Sequence, residues 1–223
     1  MAVTNYTSAS HAALPGTTDT LAFAGAVVVA SLLFCEIRMG TAATLNSIDD
    51  SVNGAASWTI VGPTDNVGRQ YFAYFQNTAA GTPTLTFNFS ASGQAPRYAM
   101  GEVTNTIGAG SFDASDILAT GTSTTPLANA QTGATSTYAH IGLVSMSANE
   151  TFTQSGSWTI LGVEPAAGTS RLAVVYQEVV SAASRAPTVT GDASTTWIAF
   201  SFMVKQNAAA GGTSTLMLQF LGL

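Results

Sequence analysis

The chain has 223 residues, a net charge of −6 and a charged fraction of only 8%, against about 25% in an average globular protein. Lys205 is the single lysine and the five arginines are scattered. No basic stripe is therefore available to neutralise phosphates, and nucleic acid is not expected as a partner. Because Cys35 is the only cysteine, an intrachain disulfide and a thiolate metal cluster are both excluded.

Small and hydroxyl-bearing residues take the place of the missing charges. Thr, Ser, Ala and Gly dominate the sequence, which predicts a neutral surface whose burial against a neighbour costs little desolvation. We therefore expect a homo-oligomer, or a protein that stays in contact with partners.

The first apolar run of the chain decides between a membrane segment and a core. Residues 1–19 are small and polar, lack the positive segment of a secretory signal, and are predicted to form an arm or an edge strand with His11 in a solvated loop. Residues 21–35 are apolar, but this run is shorter than the about 20 residues of a membrane-spanning helix and ends at Glu36 and Arg38. A buried strand is favoured, and no membrane is expected as a partner.

Two stretches have the composition of strands covered on both faces, residues 26–34 and their counterpart 138–146. His140 falls inside the second stretch and is interpreted as a satisfied core or edge residue rather than a ligand. Cys35 is expected to be buried and unreactive, because its neighbours Leu33 and Phe34 mark a covered strand and, apart from Arg38, no nearby cation is predicted to lower its pKa.

Short strands separated by Gly, Pro, Asn and Ser clusters follow. They are predicted around Trp58 and over residues 43–48, 69–77, 82–90 and 97–105. Leu85, Phe87 and Phe89 alternate with polar residues, which is typical of a strand with one buried face.

The sequence contains one stretch twice. Ser57-Trp58-Thr59-Ile60-Val61-Gly62 reappears as Ser157-Trp158-Thr159-Ile160-Leu161-Gly162, and matching segments follow each copy. Since self-similar units usually bury their apolar faces against one another, we predict an all-β, antiparallel sandwich of two packed sheets built from two pseudo-repeated halves. The predicted boundaries are 20–205 for the domain, about 20–105 and 137–205 for the halves, and 106–136 for their connection. Trp58 and Trp158 are expected to be buried at equivalent positions.

Two pairs of aspartates invite a functional interpretation. Asp49 and Asp50 suggest calcium, but the run does not fit the ligand spacing of a calcium loop, and a turn over residues 49–54 with Asx side chains bonded to their own backbone is favoured. Asp113 and Asp116 suggest the carboxylates of a glycosidase, but a helix cap or turn is favoured. Since no catalytic motif is recognised, we predict a non-enzymatic protein without catalytic, cofactor-binding or metal-binding residues.

The end of the chain is expected to assemble rather than to complete the fold. Residues 206–213 read as a flexible linker, and residues 214–223 carry six large apolar side chains, Leu216, Met217, Leu218, Phe220, Leu221 and Leu223. On a protein with little charge such a segment needs a cover. We expect it to lie on an adjacent copy, in an oligomer predicted to be a trimer, or on a particle surface; folding back on its own sandwich is the alternative.

The repeated order of segments resembles a known family. An apolar strand, a Gly/Ser-rich turn, S-W-T-I-x-G, a Gly and Arg leading to a strand with Tyr, P-T-[LV]-T and a final aromatic strand occur in both halves. This order resembles the jelly-roll-type β-sandwich domains of bacteriophage virion proteins and some bacterial surface proteins, over about residues 14–205.

This resemblance implies a location in the virion, contacts with other virion proteins, and a role as a capsid decoration (cement) protein or a tail or fibre component. The alternative is a carbohydrate-binding or receptor-binding module for surface glycans, with Tyr71, Tyr74, Tyr98 or Trp197 stacked on the sugars.

Overall fold

The computed structural model describes residues 3–40, 42–54, 58–65, 68–132, 137–148, 150–164, 171–179 and 184–207. Within these ranges the regular elements are β-strands, and no helix is present, so the predicted all-β class is confirmed. No helix long and apolar enough to cross a membrane occurs in this described part of the chain.

The first half forms a jelly-roll-like sandwich. Its strands are β1 (Val3–Ser10), β2 (Thr18–Ala22), β3 (Leu32–Met39), β4 (Leu45–Asp50), β5 (Thr59–Asp65), β6 (Arg69–Gln76), β7 (Thr84–Phe89) and β8 (Arg97–Val103). A five-stranded antiparallel sheet has the order β1-β8-β3-β6-β5, and a three-stranded sheet has the order β2-β7-β4. Apart from the hairpin β5-β6, which lies within the large sheet, successive strands therefore alternate between the two sheets, as in a jelly roll.

The second half repeats this order. Its strands are β9 (Phe112–Ser123), β10 (Gln131–Thr132), β11 (Tyr138–Met146), β12 (Thr153–Gln154), β13 (Thr159–Val163), β14 (Arg171–Val179), β15 (Ser184–Arg185), β16 (Val189–Thr190) and β17 (Thr195–Lys205). The second five-stranded sheet has the order β9-β17-β11-β14-β13, which matches the first sheet strand for strand. The short pairs β10-β15 and β12-β16 stand where the first half has its outer sheet, so the predicted pseudo-repeat is confirmed.

The two five-stranded sheets lie face to face. Their apolar side chains form an inner core that includes Leu32, Phe34, Phe72, Ile141, Phe200 and Phe202. Across this interface β1 lies next to β13 and β8 next to β14, while the rings of Phe72 in β6 and Phe202 in β17 have centroids 4.7 Å apart. The inner core therefore joins the halves over their full sheets.

Each large sheet is also covered on its outer face. Leu33, Cys35 and Ile37 pack against the three-stranded sheet, and Val144 and Met146 pack against residues of the short outer strands and loops. The molecule therefore has four layers rather than the two predicted, because each half is itself a sandwich. All nine residues of β11 are buried as a result, and in β7 the predicted alternation is confirmed, with every second residue buried.

The first covered strand lies further along the chain than predicted. β2 ends at Ala22 and β3 begins only at Leu32, so residues 23–31 form a loop in which Val28 and Val29 are exposed. The apolar run did not show this offset, since a strand covered on both faces has no alternation to mark its ends. Glu36 and Arg38, expected to follow the strand, lie within it.

The expected connection, residues 106–136, contains the long edge strand β9, which pairs with β17. Asp113 therefore lies in a strand rather than a helix cap or turn, and its Oδ1 lies 2.7 Å from Nζ of Lys205. The prevalence of Gly, Ala, Ser and Thr concealed this strand, because these residues carry little β-propensity apart from Thr.

The predicted burial of the repeated tryptophans and of the cysteine is confirmed. Trp58 and Trp158 immediately precede the equivalent strands β5 and β13 and are both buried. Cys35 is fully buried, and burial raises the pKa of its thiol well above the ordinary value.

Candidate functional site

Two buried glutamates and two half-buried arginines lie between the two halves at one end of the inner core. The alternation that turns Leu32 and Phe34 inward also turns Glu36 and Arg38 inward. Gln70 of β6, Arg97 of β8 and Glu164, which directly follows β13, complete this group. We call these five residues, Glu36, Arg38, Gln70, Arg97 and Glu164, the interface cluster.

The interface cluster bridges the halves by charge. Arg97 Nη1 lies 3.3 Å from Oε1 of Glu164, and Gln70 Nε2 donates to Oε1 of Glu36 over 3.4 Å. The remaining carboxylate oxygen of each glutamate and the amide oxygen of Gln70 have no hydrogen-bond partner among the described residues. Two carboxyl groups therefore share a site that is closed to solvent.

This arrangement favours the protonated form of Glu36. Burial, followed by the nearby charge of Glu164, raises the pKa of Glu36 to about 8, although Arg38 opposes the shift. Burial also raises the pKa of Glu164. Burial and then the neighbouring Arg97 lower the pKa of Arg38 to about 10. The cluster can therefore take up or release a proton between the halves, but its glutamates are inaccessible to a substrate.

A histidine–serine pair is buried in the second sheet. His140 Nε2 lies 2.9 Å from Oγ of Ser201, and Gln131 Nε2 donates to the backbone oxygen of Ser201 over 3.1 Å. Burial, with a contribution from Arg185, lowers the pKa of His140 to about 4. His140 is thus a neutral core residue, but its Nδ1 has no hydrogen-bond partner in the described ranges, so it is only half satisfied.

His11 is not the solvated loop residue that was expected. Its Nδ1 contacts Oδ2 of Asp19, and its ring lies edge-on to that of Tyr98 with centroids 5.7 Å apart. The Tyr98 hydroxyl donates to the same Asp19 oxygen over 2.9 Å. Burial, and then Asp19, raise the pKa of Tyr98 well above its ordinary value. The group connects Asp19 of β2 and the segment that follows β1 to Tyr98 of β8.

Asp50 acts as a structural anchor. Its Oδ1 accepts hydrogen bonds from the backbone N–H groups of Val52 (2.8 Å) and Asn53 (3.1 Å), which confirms the predicted Asx turn. Its Oδ2 accepts the indole N–H of Trp58 over 3.1 Å. In the described part of the chain no group of three or more His, Cys, Asp or Glu side chains is placed to hold a metal ion.

The aromatic residues considered for sugar stacking lie mainly inside the molecule. Tyr71, Tyr98 and Trp197 are buried. Tyr74 is half-buried, with its ring parallel to that of Phe112 at a centroid distance of 4.0 Å. The first three therefore have no face available for a glycan.

Exposed apolar side chains gather at one end of the sandwich. Val28 and Val29 in the loop before β3 are 53% and 64% exposed, and Ile107 in the loop after β8 is 47% exposed. The loops are joined, since the Thr106 hydroxyl donates to the backbone oxygen of Ala30. We call Val28, Val29 and Ile107 the tip patch.

A buried carboxylate holds the first of these loops. Glu102 Oε1 accepts the backbone N–H of Val28 over 2.6 Å, and its Oε2 accepts hydrogen bonds from Asn5 Nδ2 (2.6 Å) and the Thr4 hydroxyl (3.0 Å). The tip patch is therefore presented by an ordered support. The sequence did not predict it, because residues 28 and 29 were assigned to a strand.

The last described residues also lie at this end. Gln206 forms an isolated bridge with Thr106, so the start of the expected linker is fixed to the sandwich. The predicted apolar tail, residues 214–223, lies outside the described residues.

Comparison of this chain with protein-family models, with curated proteins and with solved structures finds no match to any of them.

Proposed function

We propose that this chain is a non-enzymatic structural protein of a bacteriophage virion, a capsid decoration (cement) protein or a tail or fibre component that acts through contacts with neighbouring subunits. The observation that carries the proposal is the exposed apolar tip patch at one end of the four-layer sandwich. Exposed apolar side chains that are held in an ordered position are typical of protein–protein contacts.

The distribution of polar groups supports this role. Several ionisable side chains are fully buried and hold loops and sheets together, namely Glu36, Glu102, His140 and Glu164. The neutral, hydroxyl-rich surface lowers the desolvation cost of close contact with a neighbour. The double jelly roll supplies stiffness, because its inner core connects two complete sheets.

The proposal is tested on particles from the native source. Purified particles are examined by quantitative mass spectrometry and by immunogold electron microscopy with antibodies against the chain. We expect a fixed copy number per particle and a regular labelling pattern on the capsid, tail or fibre. Absence of the chain from washed particles overturns the proposal, and binding of the isolated chain to a glycan array would redirect it to carbohydrate recognition.

A further inference from the structure

We propose that the tip patch is the docking surface for residues 214–223 of a neighbouring copy of this chain. The inference deepens the proposed assembly role and rests on it. The occupant is a segment of known sequence, and the surface that receives it consists of Val28, Val29 and Ile107.

The point where the chain leaves the sandwich is the first argument. The backbone N–H of Asn207 donates to the backbone oxygen of Asn105 over 2.8 Å, and Asn207 Nδ2 donates to the backbone oxygen of Thr106 over 2.8 Å. Gln206 Nε2 also donates to the backbone oxygen of Thr104. These bonds fix the start of the tail beside Ile107, so each copy delivers its tail at its own tip.

The length of the tail is the second argument. Residues 208–213 separate Asn207 from the apolar segment, and six extended residues span about 20 Å. Two tips that face one another at contact distance lie within this reach. The linker contains Gly211 and Gly212, whose backbone freedom permits the change of direction that a crossing between copies requires.

The number of apolar side chains favours a neighbour over the chain's own tip. One segment carries six large apolar side chains, whereas the patch at its exit offers three. A segment folded back on its own tip leaves apolar surface uncovered, on a protein with few charges to keep it soluble. When copies meet at their tips, patches and exchanged segments cover one another in one shared apolar core.

The test measures the oligomeric state of the purified chain by size-exclusion chromatography with light scattering and by sedimentation velocity. Four proteins are compared: the full chain, a truncation after Asn207, the full-length double variant Val29→Ser/Ile107→Ser, and a full-length control, Leu127→Ser. Leu127 is 49% exposed but lies beside Thr188 in the outer layer of the second half, so it matches the chemical change away from the tip.

We expect the full chain and the Leu127→Ser control to form the same oligomer, and the truncation and the tip variant to be monomeric, with self-association weakened at least tenfold. Circular dichroism and unchanged unfolding midpoints establish that the monomers are folded. A monomeric full chain, an oligomeric truncation, or equal dissociation of the Leu127→Ser control overturns the inference. A monomeric full chain whose midpoint drops on truncation overturns it in favour of a segment that folds back on its own sandwich.

Failure of this inference is distinguishable from failure of the virion role. If the chain is found in particles but is monomeric in solution with or without residues 208–223, only the docking of the segment at the tip is refuted. If the chain forms an oligomer that depends on the tip patch but is absent from particles, the virion role is refuted and the contact between copies stands.

Discussion

Replacing Glu36 with Gln should remove much of the pH dependence of stability. The pKa of Glu36 is about 8 in the folded protein, against an ordinary value of 4.5. Between these values the folded protein keeps a proton that the unfolded chain has lost, so the free energy of unfolding falls as the pH rises. Below pH 4.5 Glu36 is protonated in both states, so its ionisation does not lower the free energy of unfolding. Above pH 8 Glu36 is ionised in both states, so the loss of stability no longer grows with pH.

The size of the effect follows from the shift. One pKa unit corresponds to about 1.4 kcal/mol, so the shift from 4.5 to about 8 implies a loss of about 5 kcal/mol across this range and of about 3 kcal/mol by pH 7. Because Glu36 is fully buried, solvent does not screen this penalty. Glutamine keeps the shape of the neutral side chain. The free energy of unfolding of Glu36→Gln should therefore exceed that of the wild type by about 3 kcal/mol at pH 7 and equal it at pH 4.5.

The assay is urea unfolding at half-unit steps from pH 4.5 to 8.5, followed by tryptophan fluorescence. The variant should keep a residual slope of the free energy of unfolding against pH, because burial also raises the pKa of Glu164. The other ionisable groups that face this site are Arg38, Arg97 and Tyr6. The same chemical change at the exposed Glu178 is the control and should leave the pH profile unaltered. Parallel stability curves for the wild type and Glu36→Gln would refute the argument.

Three further outcomes are expected. Trp58→Ala and Trp158→Ala should each lower the free energy of unfolding by about 3–5 kcal/mol in denaturant titrations, and unchanged midpoints would contradict equivalent packing. Gly162→Ala should lower the free energy of unfolding by about 1–3 kcal/mol in the same titrations, since an added Cβ would lie 2.1 Å from the ring of Tyr6 in β1. Gly16→Ala, where nothing lies within 4 Å, is its control. Cys35 should react with a thiol reagent only after unfolding, and rapid native labelling would show that its strand opens.

The sequence predicted those parts of the fold that a periodic or repeated signal reports. The two tryptophan stretches predicted equivalent halves, and the alternation of Leu85, Phe87 and Phe89 predicted a strand with one buried face; both are confirmed. Strand limits were predicted less well wherever both faces are covered, because Leu32 is as apolar as the exposed Val29 before it. Leu32 is buried because β3 pairs with β6 and β8, which lie far away in the sequence. The residues next to Leu32 in the sequence give no sign of this pairing.

The candidate sites were harder to predict for the same reason. Glu36 looked like the polar end of an apolar run, and only its two-residue spacing from Phe34 could have indicated an inward orientation. Its partner Glu164 belongs to the other half, so no local pattern joins them. The tip patch arises because Glu102 holds a loop that the sequence assigned to a strand.

The arrangement of the large sheets has a consequence for how the halves can diverge. Equivalent faces meet: β8 lies next to β14, and in the counterpart pair Phe202 of β17 packs on Phe72 of β6. This arrangement approximates an isologous two-fold dimer whose subunits are joined in one polypeptide, although β1 lies next to β13 whereas Phe112 of β9 packs on β6. In a true homodimer every buried carboxylate would occur twice across the axis, with a double desolvation cost. Covalent linkage frees each half from that symmetry, and β11 accordingly carries no acidic residue where β3 carries Glu36.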